Sequence, residues 1–147
     1  MNGKFQFKEL TFASAWIFFF AFLLNFLWES LHGFSLYKDH HIDSDIYVRM
    51  MVYMSAMDAL TIVGMFLFIG LWAKNMDWVR QFNNSQVVSF LFLGLIVAML
   101  AEYRAVYVTG EWSYNALMPL VFGIGLSPLF QLSATGWLAI WLARRLL

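Results

Sequence analysis

Asn25, Glu29 and His32 fall at i, i+4 and i+7 of the run Leu23-Leu24-Asn25-Phe26-Leu27-Trp28-Glu29-Ser30-Leu31-His32, so on a helix they share one face. The residues between them are mostly Phe, Leu and Trp. A carboxylate at a bilayer centre costs at least about 2.5–3.5 kcal/mol on the most lenient scale, so Glu29 needs partners. Two further acids, Asp58 and Glu102, also stand inside apolar segments. Carboxyl groups sharing a dry cavity cannot all stay charged; one keeps its proton while another is held ionised, here by Arg104. A protonated carboxyl aimed at an alkene or epoxide can start a carbocation reaction, and aromatic faces can stabilise the cation. Phe26, Trp28, Tyr53, Tyr103, Tyr107 and Trp112 are candidate walls. Such chemistry needs neither metal nor nucleophile, and no cofactor is expected. The absence of cysteine removes disulfides, thiolate metal sites, iron–sulfur clusters and cysteine nucleophiles.

The elements that must position these groups are membrane helices. The chain has 147 residues, 62% apolar and 12% charged, where a soluble domain carries about 25% charged residues. This composition fits one integral membrane domain over residues 1–147. Four segments reach the roughly 20 helical residues that a bilayer crossing takes: about 11–34, 47–73, 87–108 and 116–142. The expected fold is an all-α bundle of four transmembrane helices. Met118-Pro119 opens the fourth segment, and Pro128, within Gly123-Ile124-Gly125-Leu126-Ser127-Pro128, is expected to kink it by removing a backbone donor. A broken helix lining a cavity is the alternative there.

Cation placement sets the orientation. Lys4, Lys8, Lys74, Arg80, Arg144 and Arg145 fall on one side; Lys38 and Arg49 fall on the other, with Asp39, Asp43, Asp45 and Glu111. Both termini are therefore expected in the cytoplasm and the protein in the cell (inner) membrane. At 1.5 Å per residue Asp58 lies about 16 Å down the second span, near the midplane. Glu29 and Glu102 are expected nearer the outer surface, Ser127 near the midplane and Gln131 one turn deeper. The polar groups thus gather in the outer half, around one site. Asn25, Trp28, Tyr53, Arg104, Tyr107, Trp112, Ser127 and Gln131 are the expected substrate contacts around the catalytic set Glu29, Asp58 and Glu102. Arg104 pairs with Glu29 or Asp58 across the bundle, or else snorkels to the interface. Arg49 matches Asp45 at i+4. The Asp39-His40-His41-Ile42-Asp43-Ser44-Asp45 loop has donors suited to a divalent ion but no firm ligand spacing, so no metal site is expected. Glu111-Trp112-Ser113-Tyr114 reads as an interfacial aromatic belt or as a lid over the site.

Asn25-Phe26-Leu27-Trp28-Glu29 resembles the Asn-x-x-Trp-Glu element of the small integral-membrane terpene cyclases of fungal meroterpenoid and indole-diterpene pathways. The resemblance covers five residues; members of that family are longer, with more spans. It implies an acid role for Glu29 and a supporting role for Asn25, with the second acid, Asp58 or Glu102, assigned from depth. The expected function is acid–base isomerisation or cyclisation of an isoprenoid or other lipid. A small proton-coupled transporter working as a dimer, similar in outline to the small multidrug exporters, is one alternative. A non-catalytic lipid-binding subunit is another. The expected partners are a membrane lipid or hydrophobic small molecule and a second copy of the chain. With no basic run, nucleic acid is not expected.

Overall fold

The computed structural model describes residues 3–38 and 43–147, with side chains from residue 7 onward. Asp39, His40, His41 and Ile42 of the loop weighed for a divalent ion lie outside the described residues, as do the side chain of Lys4 and its contribution to the charge count. Four helices make the fold: α1 (Gly3–Leu36), α2 (Ser44–Trp72), α3 (Asn84–Tyr103) and α4 (Leu126–Arg144). All four are long and apolar enough to cross a membrane. The shortest, α4, has 19 residues and spans about 28 Å at 1.5 Å per residue. Each is apolar around its whole circumference, as suits helices facing lipid on one side and one another on the other. The protein is an all-α, four-helix integral membrane bundle.

α1 packs along α2 and α4, and α3 along α4, while α2 and α3 meet over a much shorter stretch. Near its crossing with α4, α3 carries Gly94. A side chain there would begin 2.5 Å from Ser133 Oγ and 3.1 Å from the Ser133 backbone, so only glycine allows this approach. Ser133 Oγ donates to Leu91 O at 2.7 Å across the same crossing. At one end of the bundle the α2–α3 connection folds back into the core. Trp78 is fully buried there, its ring 5.3 Å from Phe66 and 6.0 Å from Phe90, and its indole N–H donates to Phe66 O at 3.3 Å. Arg80 joins this connection to Glu9 of α1 at 3.2 Å, and Arg144 of α4 lies 4.5 Å over the Phe82 ring. The start of α1 and the end of α4 therefore share this end.

The opposite end differs from the sequence expectation. The fourth segment does not run as helix from residue 116, and Pro128 does not kink it. Residues 120–125 form a small hairpin, β1 (Leu120–Val121) against β2 (Ile124–Gly125), turning through Phe122 and Gly123 at φ 51° and 82°. Two successive positive φ values make a turn that a helix cannot contain. α4 begins only at Leu126, so Pro128 is its third residue. No helical partner awaits an N–H at that position, and the proline costs no hydrogen bond. α3 continues into a wide π-helical turn, Arg104–Thr109, ended by Gly110 at φ 64°. The chain then runs back along the end of α1: Lys38 N donates to Ser113 O at 3.1 Å and Asn115 N to Leu36 O at 3.0 Å. Tyr37 and Tyr114 pair antiparallel between them. This strap puts residues 111–114 over the mouth of the bundle.

Candidate functional site

The i, i+4 spacing of Asn25 and Glu29 places both on the face of α1 turned to α4, and Gln131 and Thr135 repeat that spacing on α4. Gln131 is the meeting point. Its Nε2 lies 2.6 Å from Glu29 Oε1, 2.8 Å from Asp58 Oδ2 and 3.1 Å from Asn25 Oδ1. One side-chain amide thus joins three helices at a single level, with Asp58 beside Glu29 rather than well below it. Asn25, fully buried, donates through Nδ2 to Ala21 O at 2.8 Å. Thr135 Oγ1 stands 3.1 Å from Asn25 Oδ1 and 2.8 Å from Gln131 O.

Glu102 approaches from α3 and has its own partners. It is buried and accepts from Tyr37 Oη at 3.3 Å, from Trp112 Nε1 at 3.4 Å and from Tyr114 Oη. Burial pushes the Tyr37 phenol up, with the Glu102 charge adding to it. Burial does the same to Tyr114, helped by its hydrogen bond to Glu102. Both phenols stay protonated donors across the neutral range.

Glu29, Asp58, Glu102 and Gln131 line one cavity of about 140 Å³, with Met50, Met51 and Met54 of α2 and Ala98 and Ala101 of α3. Ala101 is exposed and Met50 and Met54 are half-buried, so the mouth lies where α2 and α3 part, facing lipid. Toward the other end the bundle is closed by Ile17, Ile62, Phe66, Trp78, Phe90 and Ile140, all fully buried. Small-molecule pockets run to about 300–1,000 Å³, so this cavity is smaller than one that encloses a whole ligand.

No protein-family model matches the chain, and neither a curated protein nor a solved structure does. The site is read from its own geometry.

Of the expected contacts, Trp112 lines the cavity beside the carboxyls, and Asn25 and Gln131 form its hydrogen-bonded floor. Others lie elsewhere. Arg104 does not pair with Glu29 or Asp58: it sits in the π turn, 69% exposed, 3.9 Å from Glu111. Its place on the outward side of that turn decides this, and among the described residues no Lys or Arg lines the cavity. Trp28 and Ser127 line a separate groove of about 470 Å³ between α1 and α4. Tyr53 is exposed on the outward face of α2. Tyr107 is exposed and donates to Gly123 O at 2.6 Å, bracing the hairpin. His32 is buried between Trp28 and Tyr37, with ring centroids 6.5 and 5.2 Å away. Arg49 pairs with Asp45 at 3.1 Å, as its spacing requires. Among the described residues no group of three or more His, Cys, Asp or Glu is placed to hold a metal ion.

The sequence reading missed Tyr37, Tyr114 and Thr135. Thr135 carried a signal in its i+4 spacing from Gln131. Tyr114 stood in the stretch weighed as a lid, and the strap now holds it and Trp112 on Glu102. Tyr37 lies 65 residues from Glu102, and no local pattern announces that contact.

Proposed function

We propose that this protein is an integral membrane enzyme that isomerises or cyclises an isoprenoid or other lipid by proton transfer. One observation carries the reading. Two carboxyls from different helices, Glu29 and Asp58, meet on the amide nitrogen of Gln131 inside a cavity that opens toward lipid. Glu29 is the acid: its proton passes to an alkene carbon, forming a C–H bond, or to an epoxide oxygen as the C–O bond breaks. The carbocation then loses a proton from a neighbouring carbon to Asp58, restoring a double bond with no change in mass. That proton passes back from Asp58 to Glu29, which stands on the same Gln131 amide nitrogen. Trp112 and Tyr37 offer aromatic faces to the cation. Glu102, held by three donors, supplies a fixed negative charge nearby. Gln131 takes the organising role expected of Arg104. The resemblance of Asn25-x-x-Trp28-Glu29 to membrane terpene cyclases supports an acid role for Glu29. Cation placement supports a cell-membrane location with both termini in the cytoplasm, which sets the site in the outer half. The apolar plug at the other end speaks against a transport cycle, which needs water access from both sides.

The test is turnover in lipid nanodiscs made up in D₂O, offered polyprenyl alkenes and epoxides. The expected product is an isomer of the substrate in which one hydrogen has been replaced by solvent deuterium. Glu29→Gln and Asp58→Asn should each slow it by about 10²–10⁴-fold, the usual worth of positioned acid–base groups. Undiminished turnover in both variants overturns the roles.

A further inference from the structure

Three oxygen atoms surround Gln131 Nε2 within hydrogen-bonding distance: Asn25 Oδ1, Glu29 Oε1 and Asp58 Oδ2. A side-chain amide nitrogen has only two hydrogens to give. Thr135 Oγ1 can serve Asn25, which leaves both amide hydrogens for the two carboxyls. The two carboxyls thus stand side by side on one nitrogen, 2.6 and 2.8 Å from it. Two ionised carboxylates are acceptors only, so direct contact between them would need a hydrogen that neither then carries.

The surroundings decide where that hydrogen comes from. The titratable groups facing the pair are Glu102 from α3, Tyr37 at the end of α1, Tyr47 from α2 and Glu111 from the strap; α4 turns the neutral Gln131 and Thr135 to it. Among the described residues no Lys or Arg lines the cavity. Tyr47 is engaged elsewhere, donating to Ser30 O at 2.7 Å. Two like charges on one amide nitrogen repel each other, by about 4 kcal/mol at a separation of about 4 Å and an effective dielectric constant of about 20, and no described cation stands in the cavity to offset that.

We infer that Glu29 and Asp58 hold one proton between them as a single hydrogen-bonded unit, and that Gln131 is the positioning residue that keeps them in register by donating to both. The unit carries one negative charge and one transferable proton. Glu102, with three donors of its own, stays a separate carboxylate. The inference rests on the acid–base reading for its purpose, since it names the state of the acid before substrate arrives, but its observation needs no substrate.

Infrared spectroscopy of the full-length protein in nanodiscs tests it. At neutral pH the wild type should show the C=O stretching band of one protonated carboxyl per chain, shifting on exchange into D₂O. Glu29→Gln and Asp58→Asn should each abolish it, because the remaining carboxyl then faces amide donors alone and ionises. Glu102→Gln should keep it. Absence of the band in the wild type overturns the inference whether or not the variants fold; a band that survives in both folded single variants moves the proton elsewhere and overturns it as well. An intact band with no turnover on any isoprenoid would remove the enzymatic reading and leave this one standing.

Discussion

Replacing Gln131 removes, among the described residues, the one side chain hydrogen-bonded to Asn25, Glu29 and Asp58 together. Gln131→Met keeps length and bulk while deleting the amide that lies 2.6, 2.8 and 3.1 Å from their oxygens. Hydrogen bonds in measured membrane bundles average about 0.6 kcal/mol each, which for the two the amide hydrogens can make gives a floor of about 1 kcal/mol. A buried acceptor left without a donor costs about 1–3 kcal/mol, more when charged. Thr135 can cover Asn25, so two carboxyl acceptors set a ceiling of about 6 kcal/mol. The assay is unfolding in bicelles followed by far-ultraviolet circular dichroism as denaturing detergent is added. Gln131→Met should lose about 1–6 kcal/mol. Combined with Asp58→Asn it should lose less than the two single changes together, because they remove a shared contact. A variant within about 0.5 kcal/mol of wild type, the range of an ordinary surface change, would refute the reasoning and leave Gln131 a bystander.

Three further outcomes follow from the same coordinates. Folding holds protons on Tyr37 and Tyr114 that the unfolded chain releases above its ordinary pKa of about 10. The stability they contribute is complete below that pH and declines as pH rises past it, by at most about 1.4 kcal/mol per pH unit for each tyrosine; in alkaline unfolding curves Tyr37→Phe should fall less steeply than wild type, and parallel curves would contradict this. Trp78→Ala should cost about 3–5 kcal/mol by the same unfolding assay, since it empties a fully buried site between Phe66 and Phe90. Arg104→Ala should change stability by less than about 1 kcal/mol and leave turnover intact, because its 3.9 Å pair with Glu111 is exposed; a large loss of turnover would return Arg104 to the site.

The helices were legible because length and apolarity decide them: a run such as 47–73 has no other way to satisfy its backbone in a bilayer. The shared face of Asn25 and Glu29 followed from their spacing, and the gathering of Glu29, Asp58 and Glu102 around one cavity from their being the acids inside apolar spans. Distance along each span set Asp58 well below Glu29, and the packing of α2 on α1 and α4 brings the two level. The start of α4 was not legible. Pro128 reads the same at the third residue of a helix as in its middle, and Phe122-Gly123 lacks the Asn-Gly or Asp-Gly composition that marks a tight hairpin. Nor was the division of partners. Charge attraction alone assigned Arg104 to the acids, but the π turn faces it outward, and a neutral amide on another helix takes its place. The Glu102 donors are Tyr37, just past α1, and Trp112 and Tyr114 on a strap whose pairing to the end of α1 is made by backbone groups, which side-chain pattern does not record.

The account stands on a protonated carboxyl pair reachable from lipid, and dicyclohexylcarbodiimide tests it most directly, being an apolar reagent that modifies protonated carboxyls. Mass spectrometry of the labelled protein should find one adduct per chain, on Glu29 or Asp58, suppressed by Ala101→Trp at the cavity mouth and missing from Glu102. No adduct on the pair, or labelling of Glu102 instead, would contradict it.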